Sequence, residues 1–579
     1  MLTYALNRAA RTSLYEQLYR ALRADIESGV LAAGTRLPSK RAFAKHLGVS
    51  VVTVEGAYDQ LVAEGYVRAV PRSGFYVQEI GPKATIALRS SAPEGMKPSR
   101  DSASGASGAF DGSPSGEEGE GGGVVEGSGS ARAASHSWLA DFTGATAPEG
   151  VFPYAAWART LRRVLAEESE RTVLEAAGPQ GSPRLRTAIA AHLRGFRGMA
   201  VRPDQIVIGS GAQSLYGLLV QLLGRDLVYG VEDPGYPRLM RIYESNDVEV
   251  RPIALDGEGP ALGALERASV DVLHCTPSHQ FPLGTTVPVS RRRALLEWAQ
   301  GRSAAPEEGL AAERVPRRAE GAFDGSLRYL IEDDFDCEFR MTGRPVPPLA
   351  ALDGAGRVVY ANTFSKTLGA AFRIGYAVLP EGLAERFRDR LGFYACTVGA
   401  LEQLTLARFM ESGDYERHVN RQRTRYRRLL SALVGALASS PAGDHLRFEN
   451  VGAGLHFLME IRGVEGDEGE SATFEEHVAW RAAAQGVRLA PLDRYRFAGR
   501  KTGVPGRSAN ETVGYWGDAH EAKDTRREYD ETWPDSREGR GRRRPAFVMS
   551  FSSLKEETIP EVVGIVSEAI MAELGAAPS

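Results

Sequence analysis

This sequence of 579 residues has few cysteines, a net charge close to zero and no long apolar runs. Its three cysteines, Cys275, Cys337 and Cys396, are far apart and lack metal-ligand spacing, which argues against a disulfide framework and a zinc site. No apolar run is long enough to span a bilayer, and the first residues lack the charged-then-apolar pattern of a signal peptide. We therefore expect a cytoplasmic protein that binds neither metal nor membrane.

The net charge of the chain does not by itself indicate nucleic-acid binding. The formal net charge is -4, which argues against a uniformly basic nucleic-acid binder. Residues 1–80 carry ten Lys or Arg against seven Asp or Glu, a net of +3. Because this positive excess is small, charge alone does not predict DNA binding by these residues, and the prediction depends on sequence motifs.

Composition divides the chain into parts. Residues 105–130 are dominated by Gly and Ser, with acidic residues and no Lys or Arg. Such a stretch cannot bury enough surface to offset its chain entropy, and as a coil of roughly 55 residues the whole linker would span about 40 Å. We predict a multidomain chain with a first domain, a flexible linker, and a large domain that carries two polar surface inserts: 1–80, 81–138, and 139–579 with inserts near 301–326 and 499–544.

The first eighty residues have the pattern of a small DNA-binding domain. Apolar residues from Leu14 to Ile26 recur at helical spacing and predict an amphipathic helix. A second helix is expected after Ser39 and a third after Ser50, since serine is a favoured helix N-cap. Two short strands follow, at 64–68 and 74–77. This order predicts a mainly α winged helix-turn-helix whose third helix enters the major groove.

Several short motifs of this region match one family in order and spacing: Gly34–Arg41, Leu47–Ser50, Thr53–Val54, Ala57–Tyr58 and Leu61–Tyr66. The region thus closely resembles the DNA-binding domain of the GntR family. The resemblance implies that phosphates are contacted by Arg36, Lys40 and Arg41. It implies that bases are read from the third helix by Ser50, Val52 and Thr53, and that the wing contacts DNA through Arg72. Many relatives carry Arg where this chain has Val51, so we expect a guanine contact to be missing there.

From Asp141 onward helical and strand patterns alternate, as in α/β domains. One apolar strand runs into Ser210-Gly211-Ala212, which opens a helix; small residues and helix N–H groups suit a phosphate. Another strand, from Tyr329, ends in acids at Asp333, and a carboxylate there can keep a pyridine nitrogen protonated. Each pattern also has a structural alternative: an ordinary strand–helix turn and a surface acid cluster.

Two further motifs point to a cofactor. Lys366 lies between small residues and could form a Schiff base with an aldehyde once its amine is neutral. Its neighbours supply hydroxyl and guanidinium partners for a phosphate: Thr363, Ser365 and Arg373. After the strand at Val231, Tyr236 presents a ring that could stack on a cofactor.

Together these motifs resemble the fold-type I aminotransferases, and with the GntR-type domain the chain resembles the MocR-type (GabR-like) subfamily, whose members are head-to-tail homodimers. The resemblance implies pyridoxal 5'-phosphate, with Lys366 as the Schiff-base lysine, Asp333 as partner of the pyridine nitrogen and Tyr236 as stacking ring. Its phosphate would be held by Gly211, Ala212, Thr363, Ser365 and Arg373, and the residues near the ring would include His279 and Gln280.

Three departures from the family pattern bear on catalysis. Relatives carry Tyr where this chain has Phe335, enzymes of this fold carry Arg where it has Val548, and a Tyr is often found near Ala176. Phe335 cannot make the hydrogen bond to the cofactor that a tyrosine would make. Val548 cannot clamp a substrate carboxylate, and Ala176 cannot contact the phosphate bound by the partner subunit. Arg238 is our candidate for an effector carboxylate.

Three functions compete. The favoured one is a transcription regulator that binds double-stranded DNA and senses an amine or amino-acid effector, or the cofactor itself, through Schiff-base chemistry at Lys366. The second is an active aminotransferase with an appended DNA-binding domain, and Phe335 and Val548 argue against it. The third is a regulator with a non-covalent pocket, and Lys366 with Asp333 argues against that.

Overall fold

The computed structural model describes residues 3–4, 6–7, 13–63, 66–70, 73–78, 138–144, 149–302, 328–341, 346–464, 468–497 and 543–576. The predicted linker (81–138) and the inserts near 301–326 and 499–544 lie outside these ranges, apart from residues at their edges. Arg72 of the predicted wing lies outside them too.

The N-terminal domain is a winged helix-turn-helix. Its elements are α1 Leu14–Glu27, β1 Arg36–Leu37, α2 Lys40–Leu47, α3 Val51–Ala63, β2 Val67–Val70 and β3 Gly74–Val77. The strands form an antiparallel sheet in the order β1-β3-β2. The core includes Leu18, Phe43 and Tyr58, all fully buried.

Both predicted helix starts are confirmed by their caps. The Ser39 hydroxyl accepts a hydrogen bond from the Ala42 N–H at 3.3 Å, and that of Ser50 accepts one from the Thr53 N–H at 3.1 Å. The predicted strand at 64–68 was wrong in its bounds, because the Tyr66 N–H bonds back to the Leu61 carbonyl and the strand starts at Val67. Strand β1 was not predicted.

The large domain is built on an eight-stranded mixed sheet in the order β5-β12-β11-β10-β9-β6-β7-β8. Strands β11, β10, β9, β6 and β7 run parallel, and β5 joins through the antiparallel β12. Its elements are β4 Ala140–Asp141, α4 Tyr154–Glu167, α5 Glu170–Leu174, α6 Pro183–Arg197, β5 Ile206–Gly209, α7 Ala212–Leu223, β6 Val228–Asp233, α8 Pro237–Glu244, β7 Glu249–Asp256, β8 Gly259–Pro260, α9 Leu262–Ala268, β9 Val272–Cys275, α10 Val289–Ala299, β10 Tyr329–Asp333, α11 Leu349–Leu352, β11 Val358–Thr363, α12 Ser365–Leu368, β12 Gly375–Val378 and α13 Glu381–Leu391.

The remaining elements are α14 Ala400–Glu411, α15 Asp414–Ala438, β13 Leu446–Glu449, β14 His456–Ile461, α16 Glu468–Ala484, β15 Val487–Arg488, β16 Ala546–Ser550 and α17 Ile559–Ala576. Of these, α14 packs beside α6 on the eight-stranded sheet, and most of the others form a smaller α/β unit. Strands β13, β14 and β16 make an antiparallel sheet, and β15 pairs with β4.

Helices cover both faces of the eight-stranded sheet. On β11, Val359 and Ala361 pack into one apolar cluster with α7, whereas Tyr360 packs into another with α6. Strands buried on both faces read as apolar runs, which is why the motif strands carry no polar alternation. The expected α/β class is confirmed. In the part of the chain that the structure describes, no helix is both long and apolar enough to cross a membrane.

Candidate cofactor site and DNA-binding surface

The carboxyl ends of the parallel strands bring the predicted phosphate-binding residues to one edge. Thr363 on β11 is paired with Gly375 on β12, which is paired with Gly209 on β5. The segments after β5 and β11 and before β12 therefore meet, and they contain Ser210–Ala212, Ser365 and Arg373. The register of the sheet thus assembles residues that are far apart in sequence.

Gly211 is required where α7 begins. Its φ is +81°, a region that side chains other than glycine rarely adopt. A Cβ there would lie 3.0 Å from the guanidinium carbon of Arg373. Arg373 in turn donates a hydrogen bond to the Ser210 carbonyl at 3.1 Å. A helix N-terminus, whose first N–H groups lack partners within the helix, here lies beside a guanidinium, which is a favourable arrangement for a phosphate.

Lys366 lies in the short helix α12, one residue after Ser365. Burial lowers the pKa of its amine, and the charge of Asp336 only partly opposes this. Within the described ranges the amine makes no hydrogen bond or ion pair with another side chain. A lysine with a lowered pKa is more often neutral and so more nucleophilic.

Asp333, at the end of β10, is held by two aromatic side chains. The Tyr216 hydroxyl donates a hydrogen bond to Asp333 Oδ2 at 2.5 Å, and His274 Nε2 lies 3.7 Å from the same oxygen. His274 Nδ1 is hydrogen bonded to the Tyr243 hydroxyl at 2.7 Å, while its buried Nε2 has no hydrogen-bond partner among the residues described. Burial raises the pKa of Tyr216 well above its usual value, so it donates as a neutral phenol.

The sequence analysis missed Tyr216 and His274. The one available signal was a histidine in the apolar strand Val272–Cys275. Its importance depends on β9 lying directly beside β10, where His274 pairs with Ile331.

The acids on either side of Asp333 have another task. Glu332 pairs with Arg292 at 3.3 Å and Asp334 with Arg197 at 2.8 Å, and all four side chains are buried. The same arginines hold the loop after β9: Arg292 donates to the Pro277 carbonyl at 2.7 Å and Arg197 to the Ser278 hydroxyl at 3.0 Å. The ion pairs therefore tie this loop to β10.

His279 and Gln280 are fully enclosed by protein. His279 Nδ1 lies 2.6 Å from Asp336 Oδ1, and Gln280 donates to the Pro234 carbonyl at 2.9 Å. They support the loops around the site, and their predicted position near a cofactor ring stays a prediction. His456 lies close by, with Nε2 3.3 Å from the Gln280 carbonyl, and burial lowers its pKa to about 4.

An aromatic wall completes the site. Tyr236, at the start of α8, is 42% exposed and meets the edge of Phe281 at 6.1 Å between ring centroids. Phe281 also contacts Phe335 edge-on at 6.4 Å. Arg238 is exposed on the first turn of α8, two residues after Tyr236. Val548 is fully buried in β16.

The predicted DNA-contacting residues differ in how they are engaged. Arg41 is exposed and makes no hydrogen bond or ion pair to the rest of the described structure. Lys40 instead pairs with Glu55 at 2.9 Å and Asp59 at 3.1 Å, both on α3. Arg36 donates to the Ser73 carbonyl at 2.5 Å, which ties β1 to the turn between β2 and β3.

The first turn of α3 carries the predicted base-reading residues. Ser50 and Thr53 join their hydroxyls at 2.8 Å, and Val52 is 74% exposed. An exposed valine at the start of this helix suits contact with a thymine methyl group.

Comparison with known proteins identifies both domains. Residues 14–77 match the family of bacterial regulatory proteins of the gntR type, and residues 148–306 and 336–487 match the class I and II aminotransferases.

Two curated relatives match across both domains. The HTH-type transcriptional regulator YdeL of Bacillus subtilis is 32% identical over 85% of this chain and 91% of its own. The probable rhizopine catabolism regulatory protein MocR of Rhizobium meliloti is 31% identical over 85% of this chain and 89% of its own.

Among solved structures, the α-aminoadipate aminotransferase LysN of Thermus thermophilus, complexed with N-(5'-phosphopyridoxyl)-L-leucine, has a TM-score of 0.54. It is 22% identical and covers 76% of this chain and 94% of its own, a likeness of fold.

Proposed function

Because the chain belongs to the MocR-type subfamily of GntR-family transcription regulators, we propose that its large domain binds pyridoxal 5'-phosphate and senses an amine or amino-acid effector at Lys366. The observation that carries the proposal is Lys366 itself. Its amine has a lowered pKa, has no side-chain partner in the described ranges and lies at the strand edge that also holds Asp333.

The residues present fit this cofactor. The glycine conformation at Gly211 leaves open a space beside Arg373 that any Cβ would fill. We propose that the phosphate is held there by Gly211, which leaves room for it, and by the Ala212 amide at the start of α7, with Thr363, Ser365 and Arg373. When bound, pyridoxal phosphate supplies an aldehyde that condenses with amines and a pyridinium ring that withdraws electrons.

Asp333 would hold a proton at the pyridine nitrogen. Its Oδ2 accepts from Tyr216, whereas Oδ1 accepts no hydrogen bond within the described ranges and can take the ring N–H. A protonated ring nitrogen is the form in which the ring accepts electrons. Tyr236 would stack on the ring, and Arg238 is our candidate partner for the carboxylate of an amino-acid effector.

Two features favour sensing over turnover. Phe335 offers no phenol to the cofactor, and Val548 is buried in β16, so neither provides the polar contact that enzymes of this fold have there. Removing one positioned donor from an active site costs on the order of 10²–10³-fold in turnover. Phe335→Tyr should therefore raise any conversion of the cofactor to its pyridoxamine form without tightening DNA binding. Wild-type turnover at ~1 s⁻¹ or faster would favour the aminotransferase alternative.

Sensing becomes regulation only when the effector binds one arrangement of the protein better than another. A coupling free energy of roughly 1–3 kcal/mol would change DNA affinity 5–150-fold. We propose that this occurs in the bacterial cytoplasm, in a head-to-tail homodimer. Phe393 and Tyr394 support a dimer as an exposed aromatic pair, the former 76% exposed. Sedimentation as a single chain at micromolar concentration would contradict it.

The test is spectroscopic. Full-length protein soaked in pyridoxal phosphate should absorb near the visible–ultraviolet boundary, and borohydride should fix the cofactor on the peptide that contains Lys366. Lys366→Ala should lose both signals. Lys555→Ala, which removes an exposed lysine paired with Glu149, should keep both. A colourless wild-type protein would refute the proposal.

A further inference from the structure

Two valines of the large domain are buried in the same apolar cluster as the core of the winged helix-turn-helix. Val289 begins α10, and Val346 lies three residues before α11. Each is 1% exposed, and the rest of their cluster comes from the first domain, including Leu18, Phe43 and Tyr58. The large domain therefore offers the DNA-binding domain an apolar docking surface, which we define by these two valines.

Docking there leaves the predicted DNA-contacting face open. With the two domains in contact, Val52 at the start of α3 is 74% exposed and Arg41 is exposed. The docked domain can therefore still approach DNA. Its orientation is then fixed by the large domain, and in a dimer the orientation of two such domains determines the spacing of the half-sites that they can contact.

One buried side chain supports the backbone beside both valines. Arg292 is fully buried and lies one turn after Val289 on α10. Its guanidinium donates to the Pro347 carbonyl at 3.1 Å, directly after Val346. It also donates to the Val287 carbonyl at 2.9 Å, two residues before α10 begins. Both parts of the docking surface are thus held by the same guanidinium.

The same guanidinium reaches the candidate cofactor site. It pairs with Glu332 at 3.3 Å, and Glu332 precedes Asp333, the proposed partner of the cofactor ring, on β10. It also donates to the Pro277 carbonyl at 2.7 Å, two residues before His279. Arg292 therefore connects the end of β10 and the loop after β9 with the docking surface.

Glu332 makes a second connection to the segment that carries Val346. Its Oε1 accepts a hydrogen bond from the Leu349 N–H and its Oε2 one from the Ala350 N–H, both at 2.9 Å, in the first turn of α11. Breaking a buried ion pair is strongly unfavourable. We therefore expect the end of β10, the loop after β9 and the start of α11 to move together.

We propose that the winged helix-turn-helix is held on the docking surface of Val289 and Val346, and that Arg292 is the positioning residue that transmits occupancy of the cofactor site to this surface. The second half rests on the proposed function, because pyridoxal phosphate would meet Asp333 beside the ion pair. A bound cofactor restrains the strand end and, through Arg292, the backbone beside both valines. It therefore favours the docked arrangement, and the docked domain should open less often.

The docking surface is tested without cofactor, by hydrogen–deuterium exchange of the full-length protein. Val346→Ala removes methyl groups from the shared cluster, so the amides of α1 and α3 should exchange roughly threefold faster or more, since exchange reports local opening. Val563→Ala truncates a buried valine of α17 in another cluster and should leave these amides within about 1.5-fold of the wild type. Unchanged exchange in Val346→Ala would refute the docking surface.

The coupling is tested by the same exchange with and without pyridoxal phosphate. In the wild type the cofactor should slow the α1 and α3 amides roughly threefold or more. Arg292→Lys keeps the charge but loses the forked donors, so it should bind the cofactor, as its absorption band shows, and slow these amides less than about 1.5-fold. Arg186→Lys should respond as the wild type does, since that guanidinium bonds the carbonyls of Gly181 and Pro203 instead.

Val346→Ala provides a second variant for the coupling, because it leaves Arg292 in place and should also lose the response to the cofactor. The coupling fails if the wild type forms the absorption band while its α1 and α3 amides exchange as before. It also fails if either Arg292→Lys or Val346→Ala responds as the wild type does. An absent band in the wild type refutes the proposed function and with it the coupling, whereas the docking surface is decided by the cofactor-free measurement.

Discussion

At the residue scale, three consecutive acids at the end of β10 have different surroundings. Glu332 and Asp334 face buried arginines, which neutralise them and anchor the loop after β9. Among the described residues Asp333 makes no ion pair with an arginine, and it instead meets a phenol and an imidazole. The alternation of side chains along a strand separates the middle acid from its neighbours. Two of the carboxylates thus serve the fold, and Asp333 is the one that we propose binds the cofactor.

Tyr216 should matter to the cofactor through Asp333. Tyr216→Phe removes the hydrogen bond to Oδ2, and hydrogen bonds to charged groups contribute about 1.5–3 kcal/mol. We expect pyridoxal phosphate to bind roughly tenfold more weakly or worse, measured by titration of the absorption band. The matched control is Tyr229→Phe, a buried tyrosine whose hydroxyl donates to the Gly224 carbonyl. If both variants bound the cofactor as the wild type does, Asp333 would not be its partner.

At the element scale, α2 and α3 of the winged helix-turn-helix place two basic neighbours in different roles. Arg41 is exposed, whereas Lys40 is held by Glu55 and Asp59 and lies over the Phe75 ring at 5.3 Å. Burial lowers the pKa of Lys40, but the hydrogen bonds to these carboxylates outweigh it and raise the pKa overall. We infer that Lys40 helps to hold α2 against α3 and that Arg41 is the freer phosphate contact.

The salt dependence of DNA binding should distinguish the role of Arg41 from that of Lys40. Arg41→Ala should weaken binding to all sequences alike and reduce the slope of log affinity against log salt by about 0.9. Lys40→Ala should change the slope less and lower the stability of the domain. Substituting Thr53 should alter base preference. An unchanged slope in Arg41→Ala, with altered sequence choice, would mean that the helix faces are assigned wrongly.

Position 211, just before α7, should tolerate no side chain. Gly211→Ala places alanine at a φ of +81° and a ψ of 177°, a region almost confined to glycine that costs on the order of 1–3 kcal/mol, and brings its Cβ to 3.0 Å from Arg373. We expect lower stability in urea and loss of cofactor binding. Gly217→Ala, in the middle of α7 with its nearest neighbour 3.5 Å away, should instead be neutral or stabilising by up to about 1 kcal/mol. Equal behaviour of the two variants would contradict this account of Gly211.

The sequence predicts an element well when the element is determined by residues that are neighbours along the chain. The caps at Ser39 and Ser50 are local, and the structure has helices where they predicted them. The strand predicted from 64 begins at Val67 because the end of α3 takes the Tyr66 N–H. Such a boundary depends on one hydrogen bond, which residue patterns do not reveal.

Tyr216 and His274 were missed because their positions in the site depend on contacts between distant parts of the chain. His274 reaches Asp333 only because β9 and β10 are neighbours in the sheet, and Tyr216 only because α7 packs against that face. Strand order follows from the tertiary fold, so spacing along the chain could not supply it.

At the scale of the whole molecule, the two sheets of the large domain meet at His456. This residue begins β14 of the antiparallel sheet, yet its ring packs on Phe281 at 5.1 Å and stacks on Phe335 at 6.4 Å, both from loops of the eight-stranded sheet. Asp336, His279 and Lys366 are the charged or titratable groups around it. Burial, opposed by the Asp336 charge, lowers the pKa of His456 to about 4.

This pKa makes stability depend on pH in a definite direction. In the unfolded chain a histidine has a pKa of about 6.5, so below that pH the unfolded state takes up a proton that folded His456 does not. Stability contributed by the neutral ring is therefore present above pH 6.5 and is lost as the pH falls toward 4. For these two pKa values the loss between pH 7.5 and pH 5 is about 2 kcal/mol.

His456→Gln should remove this dependence while keeping a donor for the Gln280 carbonyl. All six tryptophans lie beyond residue 137, so their fluorescence during urea unfolding reports on the large domain and its boundary with the linker, not on the winged helix-turn-helix. Between pH 7.5 and pH 5, the wild type should lose about 2 kcal/mol more unfolding free energy than the variant. His477→Gln, at an exposed histidine paired with Glu573, is the control and should follow the wild type. If His456→Gln lost as much stability on acidification as the wild type, His456 would not be the buried neutral group that joins the two sheets.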